Sequence, residues 1–176
     1  MKTEQAAKPH MATETKREGA APRAVTDGET VLATADIAMT PERVFQALNT
    51  NIVQTWWGSA DTYSMQKWTS DLRVGGLWSV LSCGADGSVH PVSGKFIEVD
   101  APHKTVFTRK YGWNFPVLGD RDTTVTYLLE PIESGTRVTV RHDGFSGLLE
   151  PAKMHAEGWQ RVLGWLDPYA DGSVQQ

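Results

Sequence analysis

Cysteine is nearly absent from this chain, since Cys83 is the only one among 176 residues. No disulfide can therefore form within the chain. The amino-terminal segment also lacks the apolar run of a secretory signal, so we expect a reducing, cytoplasmic location. No apolar stretch approaches the roughly 20 residues that a membrane span needs, and membrane insertion is not expected.

Clusters of basic residues are missing as well. The formal net charge is −4 at pH 7, so we expect neither nucleic acid nor an anionic membrane as a partner. Residues 1–27 contain no Phe, Trp or Tyr and no sustained apolar periodicity, which predicts a disordered extension. The folded domain is therefore expected over residues 28–170, followed by a flexible C-terminus over residues 171–176.

Recognisable catalytic motifs are also lacking. Gly75 and Gly76 stand between alternating apolar segments, which indicates a hairpin turn and not a phosphate-binding loop. The segment 144–147 lacks the strand-turn-helix context of a serine nucleophile. His142 and Asp143 are adjacent and would lie on opposite faces of a strand, which argues against an acid–base pair. The sequence thus assigns no catalytic residue, no metal site and no cofactor.

What the sequence does contain is a regular series of secondary-structure signals. Apolar alternation predicts strands over residues 30–39, 68–73, 77–83, 89–99, 105–111, 123–130 and 137–143. Thr40 and Pro41 are typical of a helix start, and a second short helix is expected over residues 51–57. A helical period begins at Pro151 and includes Met154, and Pro168 is expected to end this helix.

This order predicts an α+β fold class. One strand is followed by two short helices, a run of antiparallel strands and one long amphipathic helix. We expect a curved antiparallel sheet of about six to seven strands wrapped around the long C-terminal helix.

Several segments between residues 29 and 169 add a family resemblance. They are residues 40–48, the pair Trp56-Trp57, residues 71–76, residues 94–102, and Gly158-Trp159 with Leu163. The chain resembles the helix-grip (START-like, SRPBCC) superfamily, in the branch similar to the C-terminal domain of the heat-shock protein 90 ATPase activator. The resemblance implies a cavity between the sheet and the long helix. It implies no single activity, because the superfamily includes carriers, cyclases and chaperone activators.

Aromatic residues are the clearest material for the walls of such a cavity. All seven tryptophans follow residue 55, and their broad rings can line a binding site or simply fill a core. A loop that follows the strand 105–111 contributes further rings as a candidate rim. The aromatic candidates for ligand binding are Trp56, Trp57, Trp78, Tyr111, Trp113, Phe115 and Trp159.

Three other residues complete the candidate site. Arg109 shares strand parity with Tyr111, so it would point into the cavity and bind an anionic ligand group, or else lie in solvent. His155 lies one turn before Trp159, where it would contact a ligand or form part of a hydrogen-bonded interior. Leu163 follows on the same helix face.

We therefore expect the protein to bind a small hydrophobic molecule, aromatic or lipid-like, in the cavity, and the sequence favours binding over catalysis. One alternative is an enzyme of the polyketide cyclase, aromatase or hydrolase kind that uses the same cavity. Another is a protein-interaction module that resembles a chaperone ATPase activator. Exposed strand edges and the loop at Trp113 also leave a homodimer open.

Overall fold

The computed structural model of the chain describes residues 19–112 and 117–170. Trp113, Phe115, the segment 1–18 and the expected flexible C-terminus 171–176 lie outside these described residues. The elements in chain order are β1 (Arg23–Thr26), β2 (Thr30–Ile37), α1 (Pro41–Asn49), α2 (Val53–Trp56), β3 (Tyr63–Ser70), β4 (Leu77–Gly84), β5 (Val89–Asp100), β6 (Lys104–Tyr111), β7 (Thr123–Ile132), β8 (Gly135–Asp143) and α3 (Leu149–Ala170).

All the strands of the described residues form one antiparallel sheet in the order β1-β2-β8-β7-β6-β5-β4-β3. The α+β class and the long C-terminal helix are confirmed, but the sheet has eight strands and not six or seven. The additional strand is β1, which pairs with β2 from Arg23 opposite Thr34 to Thr26 opposite Val31. The expected start of folding at residue 28 is therefore wrong, because the sheet begins at Arg23. Strand β1 has only four residues, alternately exposed and partly buried, and such a short alternation does not identify a strand in the sequence.

The connection between β3 and β4 also differs from the expectation. The two strands do pair as a hairpin, but β3 lies at Tyr63–Ser70 and not at residues 68–73. Residues 71–76 form a longer loop that is fixed to β5, because Gly75 N–H donates to Phe96 O and Phe96 N–H donates to Gly76 O. Only Gly75 of the two glycines has a positive φ, +81°. Gly76 is needed for another reason, since a Cβ there would overlap the carbonyl of Asp71.

Helix α1 begins at the predicted residue, α2 and α3 begin within two residues of the predicted positions, and α3 ends later than predicted. Thr40 caps α1, with Pro41 in the first turn. Helix α3 continues through Pro168 to Ala170, so the prediction that Pro168 ends it is wrong. A proline in the last turn removes one backbone hydrogen bond, and Tyr169 packs near Trp56 with ring centroids 6.4 Å apart. None of the helices in residues 19–112 and 117–170 is long and apolar enough to span a membrane.

Helix α3 packs its apolar face on the concave side of the sheet. Its buried residues recur every three or four positions, as expected for one face of a helix, and are Ala152, Ala156, Trp159, Val162, Leu163 and Leu166. Met154, predicted on this face, is 55% exposed. The backbone of α3 runs nearest to β2 and β1. Large aromatic side chains fill the wider gap between α3 and β6 or β7, and this gap holds the candidate site.

The indole of Trp78 lies over Gly94 of the neighbouring strand β5 and reaches the next strand, β6. Trp78 on β4 lies opposite Gly94 on β5, and its Nε1–H donates to the Thr108 carbonyl of β6 at 3.1 Å. A Cβ on Gly94 would lie 1.7 Å from Thr108 O and 2.6 Å from Trp78 Nε1. Gly94 is therefore required by the close approach of a side chain and a third strand.

We expect Gly94→Ala to lower the free energy of unfolding by about 2–3 kcal/mol or more, because the added methyl must displace Trp78 or β6. Urea unfolding measures this loss. Gly112→Ala is the control, since a Cβ there meets its nearest atom at 3.5 Å. Equal stabilities of the two variants would contradict the steric role of Gly94.

Candidate functional site

A cavity of about 190 Å³ opens between α3 and the concave face of the sheet. Five of the predicted site residues line it together: Trp57, Arg109, Tyr111, His155 and Trp159. Tyr63, Val117, Gly158, Arg161 and Val162 are among the other residues of its wall. The aromatic residues come from α2, β3, β6 and α3, so segments far apart in the sequence meet here.

Three other predicted site residues lie in the core and do not line this cavity. Leu163 is completely buried. Trp56 packs against Trp57 with ring centroids 5.4 Å apart, and its Nε1–H donates to the Ala47 carbonyl at 3.0 Å. Trp78 stacks on Trp68, with ring centroids 5.5 Å apart. These positions agree with the packing alternative for each residue.

The aromatic walls are fixed by contacts among themselves. Trp57 Nε1–H donates to the Tyr63 hydroxyl at 3.3 Å, and the Trp57 and Trp159 rings meet edge to face at 5.6 Å. Tyr63 also packs edge to face on Trp165 at 5.6 Å. Burial raises the pKa of the Tyr63 hydroxyl above its ordinary value. The cavity therefore has neutral, rigid aromatic walls before any ligand enters.

Arg109 places a positive charge in this aromatic wall. It is only 8% exposed, so the alternative of a solvent-exposed arginine is wrong. Its Nη2 donates to the Tyr111 hydroxyl at 3.2 Å, and its Cζ lies 5.2 Å from the Tyr111 ring centroid. Burial acts to lower the pKa of Arg109, but the neighbouring Tyr111, Tyr127 and Tyr63 raise it, and the net direction is upward. The guanidinium is therefore charged at any physiological pH.

His155 lies in the same wall as a neutral ring. Its Nδ1 is 2.8 Å from the Pro151 carbonyl, so Nδ1 carries the proton and donates. The other nitrogen, Nε2, is buried and has no hydrogen-bond partner among the described residues. Burial lowers the pKa of His155 to about 4, helped by the charge of Arg109. Protonation would add a second positive charge to a buried wall, which explains the direction.

A buried hydrogen-bonded chain, here called the histidine relay, connects α3 to the wall. It consists of Trp159, His142, Thr123 and the Arg109 carbonyl. Trp159 Nε1–H donates to His142 Nδ1 at 3.1 Å. Because an indole only donates, His142 carries its proton on Nε2, which lies 2.7 Å from Thr123 Oγ1. Thr123 Oγ1 then donates to Arg109 O at 3.0 Å.

The histidine relay explains a residue that the sequence analysis undervalued. His142 is completely buried while Asp143 is half-buried on the other face of β8, so the expected opposite orientation is confirmed. Burial, followed by the charges of His155 and Arg109, lowers the pKa of His142 well below its ordinary value. The signal was available, because His142 shares strand parity with the buried Val138 and Val140.

A family model matches most of the folded region. It is described as Activator of Hsp90 ATPase homolog 1-like protein, and it covers residues 38–171. The chain belongs to this family. The resemblance to the helix-grip superfamily is thereby confirmed. No curated protein matches the chain in sequence.

Solved structures of similar fold agree with membership of the Hsp90 ATPase activator-like family. A protein from Rhodobacter sphaeroides superposes with a TM-score of 0.73 at 20% identity, covering 86% of this chain and 98% of its own. The AHSA1 protein of Silicibacter pomeroyi has a TM-score of 0.68 at 23% identity, covering 82% and 99%. The AHSA1-like protein of Aeromonas hydrophila has a TM-score of 0.63 at 24% identity, covering 84% and 96%. These likenesses show a shared fold.

Metal chemistry finds no support in the geometry. Within residues 19–112 and 117–170, no group of three or more His, Cys, Asp or Glu side chains is arranged to hold a metal ion. Both ring nitrogens of His142 and the Nδ1 of His155 are hydrogen-bonded to protein atoms. The arrangement instead presents apolar surface and one buried positive charge to whatever enters the cavity.

We expect Thr123→Val to lower the free energy of unfolding by about 2–3 kcal/mol, because it leaves the His142 N–H and the Arg109 carbonyl without partners in a buried site. Chemical denaturation measures the loss. Thr124→Val, on the opposite face of β7, should change stability by less than about 0.5 kcal/mol. A loss of similar size in both variants would show that the histidine relay is not the cause.

The two histidines also predict how stability depends on pH. Their folded pKa values lie below the ordinary value of 6.5, so the unfolded chain binds protons first and stability falls as the pH drops below about 6.5. Between pH 7 and pH 5, each histidine should contribute a loss of up to about 2 kcal/mol. Carboxylates with lowered pKa values, such as Asp36 and Asp143, lose their contribution only below about pH 4.

Urea unfolding at several pH values tests this dependence. The variant His155→Gln should keep only the part of the slope that comes from His142. A wild-type stability that is constant between pH 7 and pH 5 would contradict the burial of two neutral histidines.

Proposed function

We propose that the protein binds a small, largely apolar molecule with an aromatic ring in the cavity between α3 and the sheet. The observation that carries the proposal is the cavity of about 190 Å³ with walls formed by Trp57, Tyr63, Tyr111 and Trp159. An engineered protein cavity of about 150 Å³ takes up benzene, so this volume suits one substituted ring. Concave, largely apolar walls with a few polar groups are typical of small-molecule sites.

The rigidity of the walls supports binding further. Trp57 is held by the Tyr63 hydroxyl and Trp159 by His142. A ligand therefore orders few side chains when it enters, and little of its interaction energy is spent on ordering them.

An adjoining cavity extends the space available to a ligand. It has a volume of about 700 Å³ and shares Tyr63, Arg109 and Tyr111 with the first cavity. Ser82, His90 and the backbone of the β4–β5 turn contribute polar groups there. A ligand with a ring and a longer, more polar or lipid-like tail would fit the combined space, with the ring in the smaller cavity.

Catalysis in the same cavity has weaker support. His155 has a pKa of about 4, so near neutral pH it is no proton donor, and its Nδ1–H is already bonded to Pro151. An effective general acid or base has a pKa near the working pH. Binding without turnover therefore suits the site better than a cyclase or hydrolase reaction.

A protein-interaction role is the second candidate, and the family description favours it. That description names an activator of the Hsp90 ATPase, and a chaperone partner of this chain is a separate proposal. Such a role would depend on the outer surface of the protein. A substitution that fills the cavity should therefore leave it unchanged, which separates the two candidates in the experiment below.

The variant Gly158→Leu tests the proposed function. Gly158 lines the cavity, and a Cβ built on it has no atom within 4 Å. A leucine there should fill the space, strengthen the helix and abolish binding. Indole, 2-naphthol and 2-naphthoate serve as probes. A bound probe at 100 times its Kd should raise the Tm of the wild type by about 5–10 °C and quench tryptophan emission.

Gly164→Leu is the matched control for that experiment. Gly164 also lies in α3 with no atom within 4 Å of a Cβ, but it does not line the cavity. This variant should bind the probes as the wild type does. The proposal would be wrong if no probe shifted the wild type, or if Gly158→Leu bound as tightly as Gly164→Leu.

A further inference from the structure

Arg109 is a buried charged residue with few hydrogen-bond partners among the described residues. A guanidinium has five N–H donors, yet among the described residues Arg109 donates a side-chain hydrogen bond to the Tyr111 hydroxyl alone. Arg109 lines both the smaller and the larger cavity.

No carboxylate of the described residues neutralises the charge of Arg109. No Asp or Glu of residues 19–112 and 117–170 forms an ion pair with Arg109. Among the described residues, the wall of the smaller cavity contains a second arginine, Arg161, and no acidic residue. Asp61 and Asp86 border the larger cavity. The described wall of the smaller cavity is therefore largely apolar and carries positive charge.

An unpaired charge in such a place destabilises the empty protein. Burying a charge costs free energy unless it is paired and hydrogen-bonded, and an apolar side chain of similar length would avoid that cost. The planar fork of arginine matches the two oxygens of a carboxylate, with two parallel hydrogen bonds. An arginine left open in a binding cavity thus has the chemistry of a carboxylate receptor.

The position of Arg109 indicates where the charged group of a ligand would lie relative to its ring. Arg109, Tyr63 and Tyr111 form the boundary between the two cavities, and Trp57 and Trp159 lie in the smaller one. Building on the proposed function, we infer that the ligand is an aromatic carboxylic acid whose carboxylate pairs with the Arg109 guanidinium while its ring packs against Trp57 and Trp159. Substituents of the ring would extend into the larger cavity.

A comparison of 2-naphthoate with its neutral amide, 2-naphthamide, tests the inference. The two molecules share ring size and differ in charge. By titration of tryptophan fluorescence at pH 7.5, the wild type should bind the acid at least tenfold more tightly than the amide. Arg109→Met should remove this preference, Arg109→Lys should retain part of it, and the exposed Arg43→Met should keep it fully.

The stability of the empty protein provides a readout that needs no ligand. Because Arg109→Met removes an unpaired buried charge, its Tm without ligand should equal or exceed that of the wild type. A decrease of several degrees would instead assign Arg109 a structural role and overturn the inference.

The possible results distinguish the carboxylate inference from the proposed function on which it rests. Equal binding of acid and amide by the wild type, or an unchanged preference in Arg109→Met, would overturn the carboxylate inference and leave the proposed function standing. Failure of both probes and of indole to bind the wild type would overturn both. A preference that is lost in Arg109→Met, reduced in Arg109→Lys and kept in Arg43→Met supports both.

Discussion

The hydrogen bond from Trp159 to His142 is the interaction on which the site depends. It joins α3 to β8, and through Thr123 it reaches the backbone of β6 beside Arg109. Each donor in this histidine relay has one acceptor, so the tautomer of His142 and the orientation of Trp159 are both determined. The aromatic wall of the cavity is thus positioned by polar contacts behind it, and the Hsp90 ATPase activator-like fold supplies the strands that hold them.

Two polar groups in the cavity wall lower the stability of the folded protein. The Arg109 guanidinium is buried without an ionic partner among the described residues, and His155 Nε2 is buried without any hydrogen bond there. Neither is needed to close the core, which already contains the apolar face of α3 and the inner residues of β2, β7 and β8. Natural proteins accept such costs at functional sites. This contrast between a fully hydrogen-bonded relay and a wall with unpaired polar groups supports the proposal that the cavity binds a ligand.

The sequence predicted the strands with clear alternation, β4 to β8, and the helix starts at Thr40 and near Pro151. It did not predict β1, whose four residues become a strand only by pairing with β2. It placed Trp56, Trp57 and Trp78 in one site, because a linear pattern does not show which side of a short helix or strand faces a cavity. Arg109 was found by strand parity, whereas its lack of an ion pair required knowledge of strands distant in sequence.

The histidine relay has an evolutionary consequence. A chain that lost His142 alone would leave the Trp159 indole without its buried acceptor and the Thr123 hydroxyl without its buried donor. A change at position 159 or 123 would leave one nitrogen of His142 without its buried partner. Each single step costs more than the complete replacement of all three by apolar residues. We therefore expect positions 123, 142 and 159 to change together among related chains.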